Sequence, residues 1–146
     1  MTSTTPGRDA LDAALERRYP GMAAQHVTFA PATAGGLHGC SAFADGGYWH
    51  VVTYGLSELG AKSEDDDPDW SGWGFELTMR VPGGELPRQA FTVLSRVAEH
   101  VNGRGVLLED GDEVTIDSGR VRISRDPLLG EIRTPNGRVV FLRVEQ

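Results

Sequence analysis

The sequence predicts an α+β fold, a single domain in which helices pack on a mixed, mostly antiparallel sheet. Two observations point to this class. Apolar residues recur at helical spacing in two stretches, whereas several other stretches alternate polar and apolar residues as strands do. The length of 146 residues adds a third, because a chain of this size buries about two-thirds of its unfolded surface in one core. We therefore expect one domain over residues 1–146.

The first element predicted is an amphipathic helix over about residues 7–18. Pro6 is favourable at its first turn, and Pro20-Gly21 provides a stop signal. Its apolar stripe consists of Leu11, Ala14, Leu15 and Tyr19.

Four strands are then expected in the first half of the chain. "QHVTFAP" is a short candidate, and another surrounds Cys40 to Phe43 within a glycine-rich stretch. Tyr48–Tyr54 is apolar on both faces, which is typical of an inner strand covered on both sides. Polar and apolar residues alternate strictly over Gly74–Val81, so we expect Glu76 and the other polar residues to form a face exposed to solvent or to a partner.

The second half begins with a helix between Leu86 and Asn102, which starts at Pro87 and is expected to stop at Asn102-Gly103. Its apolar stripe consists of Phe91, Leu94, Val97, Ala98 and Val101. "TPNG" predicts a turn before the last strand. The strands expected after this helix lie near Glu113–Ile116, Arg120–Ser124 and Arg138–Val144.

The charge balance limits the classes of partner. A net charge of −7 argues against nucleic-acid binding, which needs a basic face, and would attract a basic protein. Cys40 is the single cysteine, so no intrachain disulfide can form. The N-terminal residues do not resemble a secretory signal, and no apolar run approaches the ~20 residues of a membrane span. These features predict a cytoplasmic protein without a membrane partner.

The run "SEDDDPDW" is the most unusual local feature. The spacing of its acids matches that of the ligands in a calcium-binding loop, with Asp65, Asp67 and Asp69 followed by Glu76 eleven positions after Asp65. However, Trp70 occupies the position that requires glycine, and a strand pattern follows, so we expect no metal. We interpret the stretch from Ser57 to Gly74 as a recognition loop. Its predicted partner-binding residues are Glu64, Asp65, Asp66, Asp67, Asp69 and Trp70.

The alternative interpretation is a hydrolase that uses Cys40 or Ser57 as its nucleophile. Cys40 lies near His38 and His50 in the sequence, but a lone cysteine between small residues is more often buried. Ser57 lacks the two flanking glycines of a nucleophile elbow. No histidine spacing typical of zinc and no phosphate-binding glycine motif is present, so no cofactor is expected.

Three blocks of the sequence resemble the suppressor of fused family, in the order and at the spacing seen there. They are "HVVTYGLSEL", "SGWGFELTMR" and "RDPLLGEIRTPNGRVVFL", and the resemblance covers about residues 9–144. It implies a single α+β domain without known enzymatic activity. Animal members restrain transcription factors of the Hedgehog pathway by gripping an extended peptide, and bacterial members are commonly proposed as immunity proteins against toxins.

The sequence also departs from the animal pattern. We expect no second, C-terminal domain like the one that completes the animal peptide groove, and Val51 and Lys62 replace an aromatic and an acidic residue that contact the partner in animal members. The resemblance therefore implies the bacterial, single-domain type. We expect a non-enzymatic immunity-type inhibitor or adaptor whose partner is a protein such as a basic toxin domain.

Overall fold

The computed structural model describes residues 4–29, 36–60 and 69–146. In those residues the chain forms two helices and eight strands. The helices are α1 (Pro6–Arg18) and α2 (Arg88–Arg104). The strands are β1 (Gln25–Thr28), β2 (Gly39–Asp45), β3 (Tyr48–Tyr54), β4 (Trp70–Pro82), β5 (Glu113–Ile116), β6 (Gly119–Arg125), β7 (Glu131–Thr134) and β8 (Gly137–Glu145).

All eight strands belong to one sheet. Their order is β1-β2-β3-β4-β8-β6-β5, and β7 pairs with the first half of β8. Within the described ranges, only β4 and β8 run parallel to each other, and the remaining neighbours are antiparallel. The prediction of a mixed, mostly antiparallel sheet is confirmed, and β3, β4 and β8 are consecutive neighbours in it.

The two helices cover opposite faces of this sheet. On one face the stripe of α2 packs with residues such as Val51 and Leu77. On the other, Leu11 and Leu15 of α1 pack with Val52 and Phe141. Val51 and Val52 are consecutive in β3, and both are 0% exposed, because successive side chains of a strand point to opposite faces. The two-sided apolar pattern of β3 therefore reflects a helix on each side.

Two element boundaries and one missed strand are the differences from the predictions that affect the candidate site. The structure extends α2 through Asn102 to Arg104 and ends it at Gly105, whose φ of 65° suits a glycine cap. Strand β7 was not predicted, because four residues next to the "TPNG" turn are too few to show a strand periodicity. Strand β4 begins at Trp70 and so includes residues that were predicted to be loop. Neither described helix is long and apolar enough to cross a membrane.

Candidate partner-binding site

The predicted partner-binding residues belong to the segment that joins β3 to β4. We call residues 61–69 the acidic segment. Four of the predicted residues, Glu64, Asp65, Asp66 and Asp67, lie outside the described residues. Asp69 is described and exposed, and Trp70 is half-buried as the first residue of β4. The structure therefore describes how the two ends of the acidic segment are attached to the fold.

Both ends of the acidic segment are held by the turn between β7 and β8. The side-chain amide of Asn136 is buried and donates to the carbonyl of Glu58 at 3.0 Å and to that of Gly60 at 2.6 Å. Two residues later, the backbone N–H of Arg138 donates to the carbonyl of Asp69 at 2.9 Å. One turn thus fixes the points where the acidic segment leaves the fold and rejoins it.

Trp70 is an anchor at the second of these points. The guanidinium carbon of Arg138 lies 4.2 Å from the centroid of the indole, in a cation–π arrangement. A Cβ on Gly137 would lie 2.8 Å from the backbone of Trp70, and Gly137 has a φ of 119°. Glycine is required at this position, because only glycine tolerates both the close approach and that backbone conformation.

The predicted recognition loop from Ser57 to Gly74 is therefore wrong at its second end, because β4 begins at Trp70, whereas residues 57–60 at its first end belong to no helix or strand. Ser57 is 4% exposed and Ser71 is 0% exposed, and the hydroxyl of Ser71 accepts a hydrogen bond from the backbone N–H of Glu58. Trp70 begins a strand and packs on Arg138 instead of projecting from a loop. The sequence was misleading because the glycines of "SGWG" indicate a turn, whereas here they allow a bulge within β4.

That bulge, at residues 71–74, positions a second tryptophan. The register between β4 and β8 shifts there, which leaves extra residues in β4. The backbone N–H of Trp73 donates to the carbonyl of Leu56 at 3.0 Å, and its indole N–H donates to Oδ1 of Asn102 on α2 at 3.0 Å. Trp73 is partly buried against the apolar cluster between α2 and the sheet, which we call the α2-side core. The residue is therefore held through its backbone and through its indole ring.

A groove of about 380 Å³ opens beside the bulge. Its apolar lining includes Trp70, Trp73, Phe75, Leu107, Leu108 and Leu142. Leu107 is 63% exposed, and the sequence analysis did not consider it. The available signal was "GVLLED", an apolar run that follows the glycine stop of a helix and precedes two acids. Such a run in a connection is unusual, because connections are mostly polar.

Glu76 is a fully buried carboxylate between β3 and β4. The strands pair only as far as Val52 and Thr78, and beyond that point Glu76 replaces the missing backbone acceptors. It accepts hydrogen bonds from the backbone N–H groups of residues 55–57 and from the hydroxyls of Thr53 and Ser57, at 2.6–3.2 Å. The expectation of a face exposed to solvent or to a partner is wrong here, because Glu76 and Thr78 are both 0% exposed.

The buried Glu76 makes stability depend on pH. Burial raises the pKa of Glu76 from 4.5 to about 6, against the opposing effect of the hydrogen bonds from Ser57 and Thr53. Because the pKa is higher in the folded state, the stabilisation is complete below pH 4.5 and is lost as the pH rises through 6.

We therefore expect the free energy of unfolding of the wild type, relative to Glu76→Gln, to fall by about 2 kcal/mol between about pH 4 and pH 7.5. Urea unfolding of both proteins across this range measures the difference. The exposed Glu113→Gln serves as the control and should show no such change. A difference that is constant, or that grows with pH, would contradict the prediction.

Neither predicted nucleophile has a histidine beside it. Cys40 is 1% exposed within the α2-side core, and burial raises the pKa of its thiol. The hydroxyl of Ser57 donates to Glu76 at 2.6 Å, and within the described ranges no hydrogen bond joins Ser57 or Cys40 to a histidine. A serine–histidine pair does exist at Ser41 and His26, 2.6 Å apart, but Ser41 is 0% exposed. Hydrolysis needs an accessible nucleophile beside a base, and these positions do not provide one.

A second buried polar cluster surrounds His50. Its Nε2 lies 2.8 Å from Oδ2 of Asp126, and both side chains are 1% exposed. The hydroxyl of Tyr19 contacts Nδ1 of His50 at 2.5 Å, and the hydroxyl of Thr78 donates to Asp126 at 2.6 Å. Burial alone raises the pKa of Asp126, but the hydrogen bonds from His50 and Thr78 outweigh it and lower the pKa to about 2. The cluster ties the end of α1 to the sheet.

Metal ligands do not cluster in the part of the chain that the structure describes, where no group of three histidine, cysteine or acidic side chains could hold an ion. The expectation that residues 64–69 bind no calcium concerns side chains that lie mostly outside that part. It stays a prediction.

Comparisons with known proteins all lead to one family. The family model described as Suppressor of fused protein matches residues 35–144. The mouse protein Suppressor of fused homolog is 31% identical over a region that covers 66% of this chain and 24% of that protein. The chain thus spans about a quarter of the length of that relative.

Solved structures share the fold. The crystal structure of Drosophila Suppressor of Fused matches with a TM-score of 0.85 at 23% identity, and the match covers 97% of this chain and 42% of that one. A crystal structure of the Sufu–Fu complex matches with a TM-score of 0.81 at 22% identity, covering 97% of this chain and 75% of the other. The α+β architecture with a helix on each face of the sheet is therefore shared with these structures.

Proposed function

This chain belongs to the suppressor of fused family, and we propose that it is a non-enzymatic domain that binds a partner protein through its acidic segment. The observation that carries the proposal is the attachment of both ends of that segment to the β7–β8 turn. A segment held at both ends has less conformational freedom to lose on binding. The relative that was solved as a Sufu–Fu complex supports a partner-binding role.

The proposed partner is a basic protein, such as a toxin domain, and the proposed role is that of a bacterial, cytoplasmic immunity-type inhibitor or adaptor. The net charge of −7 and the run of carboxylates favour such a partner, because opposite charges speed association and discriminate against acidic surfaces. Inhibition would then follow from occupying the basic surface that the partner needs for its own activity.

The mechanism needs no reacting group on this chain. The acidic segment would attract the partner over a distance, and its attachment at Gly60 and Asp69 would reduce the entropy lost when the partner binds. Cys40 and Ser57 are buried, and the base beside Ser57 is the equally buried carboxylate of Glu76. The hydrolase alternative needs an accessible nucleophile, so it gains no support.

The test replaces four carboxylates of the acidic segment with amides. The residues changed together to asparagine are Asp65, Asp66, Asp67 and Asp69. With a partner identified by co-purification or from adjacent genes, we expect the association rate to fall at least tenfold at low salt, because steering by charge is lost. We also expect the salt dependence of that rate to become flatter. Stopped-flow mixing at several salt concentrations measures both.

A matched control removes the same number of charges elsewhere. Four exposed acids outside the acidic segment are converted to their amides: Glu85, Glu113, Asp117 and Glu145. This control should retain most of the association rate. Equal effects of the two variants would mean that net charge alone acts, and a segment variant that binds like the wild type would place the contact surface elsewhere.

A further inference from the structure

We propose that the groove beside Trp73 binds an extended segment of the partner protein in which one large apolar side chain is flanked by lysine or arginine. This inference rests on the proposed function and adds a second contact to it. The groove follows directly after the acidic segment in the chain, because Trp70 contributes to both the anchor and the groove lining. A single partner could therefore contact both.

The shape of the groove suits one apolar side chain. Phe75, Leu108 and Leu142 are buried at its base, while Leu107 remains 63% exposed at its edge. Val106, next to Leu107, is 41% exposed. Four large apolar side chains are exposed in the described ranges, and these two are the only consecutive pair. Exposed apolar surface next to a cavity of this size is typical of binding sites, which usually measure ~300–1,000 Å³.

The charges around the groove favour a basic segment. Glu109 and Asp110 belong to its lining, together with Arg125. Arg125 has an acidic neighbour of its own, since its Nη2 lies 4.0 Å from Oε1 of Glu131. The carboxylate of Glu109 has no hydrogen bond or ion pair with any residue that the structure describes, which leaves it available to a cation. The local excess of negative charge thus complements lysine or arginine.

The edge of the groove is rigid before any partner arrives. Asp112 accepts a hydrogen bond from the backbone N–H of Glu109 at 2.8 Å, and Asp110 accepts one from that of Arg125 at 3.0 Å. The backbone N–H of Gly111 also donates to the carbonyl of Ile123 at 2.8 Å. With Trp73 fixed by Asn102, both sides of the groove are preorganised, which lowers the entropy cost of binding.

Synthetic peptides test the chemistry of the groove directly. The probe is a nine-residue glycine–serine peptide with a central leucine between two lysines, blocked at both ends. One control peptide has glutamate in place of lysine, and another has serine in place of leucine. Titration followed by amide chemical shifts should show the probe binding at least tenfold more tightly than either control. Equal binding of all three peptides, or no binding at millimolar concentration, would overturn the proposal.

Variants of the protein locate the contact. Leu107→Ser should weaken binding of the probe at least fivefold, whereas Met22→Ser, at an apolar side chain 39% exposed after α1, should not. Glu109→Gln should weaken binding of the lysine peptide and should not weaken binding of the glutamate peptide, because the change also removes a repulsion between like charges. Unfolding curves of the Leu107→Ser protein verify that the fold is intact. Unchanged binding of the probe to Leu107→Ser would overturn the proposal.

Measurements with the cognate partner separate this inference from the proposed function. If the acidic-segment variant loses affinity but Leu107→Ser does not, the groove inference fails and the proposed function stands. If Leu107→Ser loses affinity at least fivefold while the acidic-segment variant does not, the groove is the contact and the assignment to the segment fails. Sedimentation of the wild type checks a third case, because a dimer that Leu107→Ser dissociates would make the occupant a second copy of this chain and overturn the proposal.

Discussion

Replacing Glu76 with alanine should lower the free energy of unfolding by about 4 kcal/mol or more. The change removes the acceptor of three backbone N–H groups at residues 55–57, two of them buried and one partly buried, and of the hydroxyls of Thr53 and Ser57. Each buried donor that loses its partner costs about 1–3 kcal/mol, and the lost side chain leaves a cavity as well. Since small domains are stable by only about 5–15 kcal/mol, this variant is expected to be close to unfolding.

Urea denaturation followed by circular dichroism measures this loss. The control is Glu113→Ala, at an exposed glutamate of β5, which should change stability by less than about 0.5 kcal/mol. A Glu76→Ala protein within about 1 kcal/mol of the wild type would mean that the turn after β3 does not depend on this carboxylate.

Replacing Leu77 with alanine should cost about 2–5 kcal/mol, the range for large-to-small changes in a core. Leu77 is 0% exposed, and its neighbours in the α2-side core come from both the sheet and the helix. The cost arises from lost burial together with the cavity that rigid neighbours cannot fill.

Leu107→Ala is the matched control for that change, because it removes the same atoms from a side chain that is 63% exposed. Thermal and urea unfolding of both variants should show a large loss for Leu77 and a negligible one for Leu107. Similar losses for the two variants would contradict the assignment of Leu77 to the core.

Most of the fold could be predicted from periodicity because both helices and most of the long strands have an apolar pattern of their own. The two-sided pattern of Tyr48–Tyr54 indicated an inner strand, and the structure covers it with a helix on each face. The end of α2 was misplaced by two residues because Asn102 and Gly103 look like a stop, yet Asn102 is needed inside the helix to hold Trp73. That hydrogen bond joins residues far apart in the chain, so the sequence around Asn102 gives no sign of it.

The site was less predictable than the fold. The alternation of polar and apolar residues correctly placed Glu76 on the opposite face of the strand from its apolar neighbours. It could not show that β3 and β4 diverge and leave unpaired backbone amides that Glu76 binds. Trp70 was predicted to contact a partner, and the sequence could not show that Arg138, far away along the chain, packs on its ring. Long-range polar contacts decide both cases, and a single sequence contains no signal for them.

Because the acidic segment is attached to the fold at both ends, it is a suitable position at which to replace the native residues with another peptide. Asn136 and Arg138 bind carbonyl oxygens of Glu58, Gly60 and Asp69, and these acceptors belong to the backbone, so they do not depend on the side chains of those residues. The cost of closing a flexible segment grows only with the logarithm of its length, by about 0.6 kcal/mol for each doubling. Foreign peptides of different length and charge could therefore be grafted between Gly60 and Asp69, which would make the sheet and its two helices a scaffold for display.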